Sequence, residues 1–191
     1  MRILFLGDVV GPSGCEAIKK NLQKQIKINK IDFVIVNGEN AAEQGFGITE
    51  KISNNFFDCG VDVITTGNHV WDQKETADYI NKENRLLRPY NLTSPSPGKG
   101  FEIFNSKNGY KVAVLNLMGN MFMKKCDNVF DASKDFISKN KLKKNFDFLI
   151  VDFHGEITSE KMAIGHFFDG KATFVVGTHT HVPTSDTMIL R

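Results

Sequence analysis

The sequence predicts a layered α/β fold whose functional groups gather along one rim. Three observations carry that prediction. From Ile3 to Tyr79, short apolar runs alternate with amphipathic helical stretches in the order β-α-β-α-β-α. The apolar runs end in Asp, Asn, Glu or His, which places those side chains outside the carboxyl edge of a sheet, where ligands bind. Midway along the chain, two further apolar stretches flank Asn108-Gly109, a hairpin signal that adds an antiparallel pair to the parallel pattern.

Ile3-Leu4-Phe5-Leu6 reads as a buried strand ending at Gly7-Asp8, with Gly11 and Gly14 loosening the turn. Ser13 with Glu16 reads as a capping box, and Ile18, Leu22 and Ile26 then form one apolar helix face. Phe33-Val34-Ile35-Val36 is the second strand and ends at Asn37-Gly38-Glu39-Asn40. After the glycine-rich Gly45-Phe46-Gly47, a helix carrying Ile48, Ile52 and Phe56 closes at Gly60. Val61 to Thr65 is the third strand, leading into Gly67-Asn68-His69, and Asp72 with Glu75 reads as the cap of the next helix.

Arg88 to Gly100 is rich in Pro, Ser and Gly and reads as a surface excursion. Phe101 to Phe104 and Lys111 to Leu115 form the predicted hairpin, and Met118 to Met123 is an apolar loop, either core or a pocket wall. A basic amphipathic helix is predicted from Asp131 to Lys144, its lysines a solvated face. Phe148 to Val151 is a strand ending at Asp152-Phe153-His154, Ser159 to Phe168 a helix, and Thr173 to Val176 a last strand ending at Gly177-Thr178-His179-Thr180-His181.

At 191 residues the chain is expected to be a single domain spanning 1–191, with a substantial core. A net charge of +2 is too small to indicate a nucleic-acid or membrane partner. Cys15, Cys59 and Cys126 are odd in number and in no CxxC pattern, which points to free thiols in a reducing compartment. Met1-Arg2 leads into only four apolar residues, so no signal peptide is read, and no apolar run is long enough to cross a bilayer. The expected location is the cytoplasm, and a homo-oligomer is the default assembly.

The residues just past the strand ends are Asp8, Glu39, Asn40, Asn68, His69, His154, His179 and His181. Carboxylate, imidazole and amide oxygen together suit Mn, Fe or Zn, and the lack of a thiolate argues against a structural zinc site. If the backbone stays extended past the last strand, His179 and His181 point the same way at roughly 6–7 Å, and two metal ions ~3.5–4 Å apart fit between such imidazoles. Asn68 and His69, being adjacent, project to opposite sides. If Asn68 binds a metal, His69 is free to face a substrate as a general acid; the alternative is packing beside Trp71. His166 lies inside a predicted helix and reads as structural.

Gly7-Asp8-Val9-Val10-Gly11, Asn37-Gly38-Glu39-Asn40-Ala41-Ala42, Gly45-Phe46-Gly47-Ile48-Thr49, Thr66-Gly67-Asn68-His69-Val70-Trp71-Asp72, Val151-Asp152-Phe153-His154 and Gly177-Thr178-His179-Thr180-His181 resemble the calcineurin-like metallophosphoesterases, and most closely their YmdB-like branch. The resemblance runs from Met1 to the last residue. It implies a β-sandwich of mixed sheets flanked by helices, with a two-metal centre at the strand ends. By the same resemblance, Asp8, Glu39, Asn40 and His181 hold one metal and Glu39, Asn68, His154 and His179 the other. Glu39 bridges, His69 is the proton donor, and iron or manganese is the expected metal, with zinc as the third choice.

The implied reaction is hydrolysis of a small phosphodiester, cyclic nucleotides of the 2′,3′ and 3′,5′ kinds included, by a hydroxide between the metals with His69 protonating the leaving group. Two other readings use the same site: a phosphomonoesterase or nuclease, and a metal- and nucleotide-binding regulatory module with little turnover. Two departures bear on these. Asn120 stands where the branch generally has Arg, which removes a phosphate-facing charge. The chain also stops at Met188-Ile189-Leu190-Arg191 as another strand begins, so C-terminal strands are expected to be missing.

Overall fold

The computed structural model describes residues 1–191. Its elements are β1 (Ile3–Leu6), α1 (Gly11–Asn29), β2 (Phe33–Asn37), α2 (Glu50–Asp58), β3 (Val63–Thr65), α3 (Thr76–Tyr79), β4 (Phe101–Asn105), β5 (Lys111–Met118), α4 (Val129–Lys139), β6 (Phe148–His154), α5 (Thr158–Phe167) and β7 (Phe174–Thr178). They build two sheets. One is all parallel, in the order β1-β2-β3; the other runs β4-β5-β6-β7, with β4 antiparallel to β5 and the remaining pairs parallel. The hairpin forms as predicted, with Gly109 at φ 78 in its turn.

The layering follows from strand periodicity, because alternate side chains face opposite sides of a sheet. Phe33, Ile35 and Val63 of the first sheet meet Val112, Val114 and Ile150 of the second, and this is the core between the sheets. The intervening residues Val34, Val36 and Ile64 turn outward onto Ile18, Leu22 and Ile26 of α1 and Phe56 of α2. On the opposite side, Ala113, Leu115, Leu117, Leu149, Val151 and Phe153 pack against Val129 and Phe136 of α4 and Ile164 of α5. The order of layers is helix, sheet, sheet, helix. No helix is long and apolar enough to cross a membrane.

Toward the C-terminal ends of the strands, the same inner face changes character. The apolar residues give way to Asn37, Thr65, Asn116, Asp152, His154 and Thr178, all buried. Buried polar groups need partners, and here the two sheets supply them to each other.

Several local expectations are corrected. No capping box opens α1; the helix starts at Gly11 after Val10, because Pro12 in its first turn already holds a helical φ. Ile48 precedes α2, which is capped by Thr49, whose hydroxyl accepts from Ile52 N–H at 3.2 Å. Gly60 follows that helix at φ 98, as the closing glycine should. Asp72 caps nothing: α3 is a single turn beginning at Thr76. The basic helix α4 runs only to Lys139, with Asn128 as its cap. Of the apolar stretch predicted as a loop, Met118 is the buried last residue of β5, whereas Met121 and Phe122 in the loop beyond it are exposed.

Candidate active site

The site is built outward from Asp152. Its buried carboxyl accepts hydrogen bonds from Thr65 Oγ1 at 2.6 Å, Thr178 Oγ1 at 2.7 Å and Asn37 Nδ2 at 2.9 Å. Burial pushes this acid up to about 7, against the pull of the three hydrogen bonds. Thr178 has one hydroxyl hydrogen, and it goes to Asp152. The Thr178 oxygen is then an acceptor, 3.0 Å from His154 Nδ1. His154 is therefore protonated at Nδ1 and offers a bare lone pair at Nε2. Burial also holds this imidazole well below its ordinary pKa, so it is neutral.

Three further lone-pair atoms surround His154 Nε2. Asn68 Oδ1 lies at 3.1 Å, His179 Nδ1 at 3.2 Å and Glu39 Oε1 at 3.5 Å. His179 directs its other nitrogen, Nε2, to Glu156 Oε2 at 3.0 Å, so Nδ1 is unprotonated there as well. Desolvation lowers the His179 pKa too. Lone pairs that face one another in a buried place repel unless a cation lies between them. Gly67 makes the arrangement sterically possible, since a Cβ at that position would stand 2.1 Å from His154 Cδ2.

A second group of donors lies beside the first. Asp8 Oδ1 is 3.4 Å from His181 Nε2, and Asp8 Oδ2 accepts the His179 backbone N–H at 3.0 Å. Asp8 Oδ1 and Asn40 Oδ1 are both buried and have no hydrogen-bond partner. Asn40 is pinned by its amide hydrogens to Gly45 O at 2.8 Å. Buried oxygens left without donors are rare and costly, and a cation satisfies them directly. Glu39 reaches the first group and lies within electrostatic range of Asp8. Burial raises its pKa well above the usual range, and the Asp8 charge adds to that push. Its two oxygens accept the backbone N–H groups of Gly67, at 2.5 Å, and of His69. The His, Asp and Glu side chains alone do not close into a cage; the amide oxygens of Asn40 and Asn68 are further groups that could serve as donors.

His179 and His181 reach these places by a route the sequence does not suggest. β7 ends at Thr178, and both histidines take left-handed backbone angles, φ 93 and φ 54. They are therefore not two neighbours on one extended face: His179 goes to His154 and His181 to Asp8.

His69 does diverge from Asn68, as adjacency predicts. Its Nδ1 lies 2.5 Å from Asp72 Oδ2, and Asp72 Oδ1 lies 3.1 Å from Lys124 Nζ. Burial would raise the Asp72 carboxyl, but the bonds from His69 and Lys124 outweigh it and hold the pKa below the ordinary value. Asp72 is the site residue that sequence reasoning missed. The available signal was its spacing of three from His69, within one tight turn. Asn120 is tied into its own loop: its amide donates to Asp127 O at 3.0 Å and accepts Val129 N–H at 2.9 Å. The cation this loop brings to Asp72 is Lys124. His166 lies exposed on α5.

The frame of the site is a four-layer α/β sandwich with buried polar groups gathered at its strand ends, and its relatives are named as hydrolases. The chain belongs to the YmdB-like protein family, whose profile matches residues 4–191. It is 45% identical over 190 residues to the 2′,3′-cyclic-nucleotide 2′-phosphodiesterase of Bacillus subtilis (strain 168), covering 100% of this chain and 70% of that protein. Among solved structures, a hypothetical protein from Thermus thermophilus superposes with a TM-score of 0.91 at 38% identity, over 100% of this chain and 72% of that one. A novel phosphatase from Mycoplasma pneumoniae gives a TM-score of 0.87 at 40% identity, over 96% of this chain and 66% of that one.

Proposed function

We propose that the chain is a two-metal phosphodiesterase that opens 2′,3′-cyclic nucleotides. The observation that carries this reading is the pair of donor groups adjoining at Glu39, each with buried lone pairs that lack a proton partner. Asp8, Glu39, Asn40 and His181 would hold one ion, and Glu39, Asn68, His154 and His179 the other. Iron or manganese suits this mixed oxygen and nitrogen set, with zinc the third choice. Such a centre supplies charge against the phosphoryl oxygens and a water that ionises near neutral pH.

The chain's own residues do the rest. The Asp152–Thr178 pair holds His154 in one tautomer. Asp72 holds His69 by Nδ1, which leaves Nε2 for proton transfer. In the reaction, water adds to phosphorus, the P–O bond to one ribose oxygen breaks, and that oxygen takes its proton from His69. Lys124 neutralises Asp72 and adds positive charge beside the incoming phosphodiester.

The Bacillus subtilis relative's name supports the 2′,3′-cyclic substrate. The Mycoplasma pneumoniae structure, titled a phosphatase, favours a second reading in which monoesters turn over at the same site. The test is turnover of 2′,3′-cyclic AMP, 3′,5′-cyclic AMP and a phosphomonoester by manganese- or iron-loaded protein, with His69→Ala alongside. Hydrolysis of the 2′,3′-cyclic compound above the other two, lost in the variant, is expected. Preference for the monoester selects the second reading. No turnover with two metals bound per chain turns the protein into a binding module.

A further inference from the structure

Phe46 stands at the tip of the Gly45-Phe46-Gly47 loop, half exposed. Its ring lies 4.8 Å from the His69 ring, at an interplanar angle of 47°. Single exposed aromatics are ordinary on protein surfaces, but this one is held unusually firmly. Gly45 and Gly47 both adopt left-handed backbone angles, φ 80 and φ 75. Gly47 N–H donates to Glu39 O at 2.7 Å, Gly45 N–H to Ala42 O at 2.8 Å, and Gln73 Nε2 to Phe46 O at 2.7 Å. A Cβ on Gly47 would meet His69 O at 2.9 Å, so the loop is packed directly against the turn that carries His69. Next to the ring is an open cavity of about 840 Å³ bordered by Gln44, Phe46, Asp72, Gln73, Lys74 and Glu75.

The chemistry of the substrate class gives this placement a meaning. In a 2′,3′-cyclic nucleotide the leaving oxygen sits on C2′ or C3′ of the ribose, and the base sits on C1′ of the same ring. Whatever protonates the leaving oxygen is therefore a close neighbour of the base. The aromatic side chain beside the proposed proton donor is Phe46, half exposed and bordering that cavity.

We infer that Phe46 is the nucleobase platform of this site: the base stacks on its exposed face while the phosphodiester lies against His69 and the donor groups. The inference rests on the cyclic-nucleotide reading above and adds a specificity element to it. Stacking on an aromatic face is tolerant of base identity, so the protein should accept purine and pyrimidine cyclic nucleotides with a preference for the larger ring.

The experiment compares wild type, Phe46→Ala and Phe46→Trp on two substrates with the same reacting centre. One is 2′,3′-cyclic AMP. The other is 1-O-methylribose 2,3-cyclic phosphate, which lacks the base. The readout is the ratio of their kcat/KM values, together with the affinity for 2′,3′-cyclic AMP by calorimetry. For Phe46→Ala the ratio should fall about 10- to 100-fold, mainly through KM, with affinity falling in parallel, and Phe46→Trp should restore it. If Phe46→Ala slows both substrates equally and leaves the ratio unchanged, Phe46 only packs His69 and the platform is overturned. A fall in the ratio for Phe122→Ala but not for Phe46→Ala also overturns it, by moving the base to the loop after β5. Absence of turnover on either substrate by wild type refutes the phosphodiesterase reading. The calorimetric comparison then still decides the platform: equal nucleotide affinity for wild type and Phe46→Ala rejects it, and a weaker variant upholds it.

Discussion

Single atoms decide what the histidines can do. In the proposed mechanism His154 serves as a donor because its Nδ1–H donates to Thr178, which leaves Nε2 bare, and His69 serves as an acid because Asp72 engages the other end of the ring. For His69→Ala we expect a loss of roughly 10²–10⁴-fold in kcat with both metals retained, measured by steady-state kinetics beside elemental analysis. Wild-type turnover in a metal-replete variant would remove His69 from the mechanism. Gly67 is a different kind of residue, necessary for what it lacks. Gly67→Ala would place a methyl group 2.1 Å from His154 Cδ2, and a fully buried ring has nowhere to move. This variant should lose the ion near His154 and bind about one metal per chain instead of two, as counted by elemental analysis. Retention of two ions would show that His154 is not a ligand.

At the scale of elements, β6 and β7 act as a unit. Their parallel register pairs His154 with Thr178, which brings the imidazole and the hydroxyl into contact without help from any loop. Thr178→Val keeps the shape and the β-branching but removes the relay to Asp152. Metal affinity should drop about 10- to 100-fold, as it does when an outer partner of a ligating histidine is removed. Competition with a chromogenic chelator would measure this, and unchanged affinity would mean that the His154 tautomer is set some other way. The turn after β7 matters as much as the strand. By going left-handed at His179 and again at His181, it sends two side chains of a His-x-His motif to different donor groups.

At the scale of the whole molecule, the two sheets are joined at one end by apolar packing and at the other by Asp152, which takes hydrogen bonds from β2, β3 and β7. Asp152→Ala leaves those buried donors without an acceptor and opens a small void. We expect it to cost about 1–3 kcal/mol for each donor left unsatisfied, with partial relaxation reducing the total. Urea unfolding should show a lower midpoint with an unchanged slope. An unaltered midpoint would mean that the sheets do not depend on this tie. The proposed metal binding belongs to the same scale, because the candidate donors come from β1, β2, β3, β6 and β7 or the turns after them, and only the folded state assembles them. Manganese in excess should therefore raise Tm, and a chelator should reverse the rise. In Asp8→Ala the rise should shrink; a rise of the same size would show that the stabilising ion sits elsewhere.

Much of this was legible in advance, and the reason is periodicity. Short continuous apolar runs defined strands buried on both faces, spacing of three and four defined the helices, and Asn108-Gly109 defined the hairpin. That the candidate residues lie together was legible because chemistry-bearing residues past successive strand ends must meet at one rim of a layered fold. What the residues alone determined is thus the fold class, the strand ends and the candidate set from Asp8 to His181. Only the tertiary structure decided which donor faces which. It showed that His179 and His181 part company, that Asp72 serves His69 and caps no helix, that Asn120 is bound within its own loop, and that Asp152 ties two sheets together. Those outcomes depend on backbone angles past the strand ends and on contacts between residues more than a hundred positions apart, such as Asn37 and Asp152. A local pattern encodes neither, because each is set by how the layers stack.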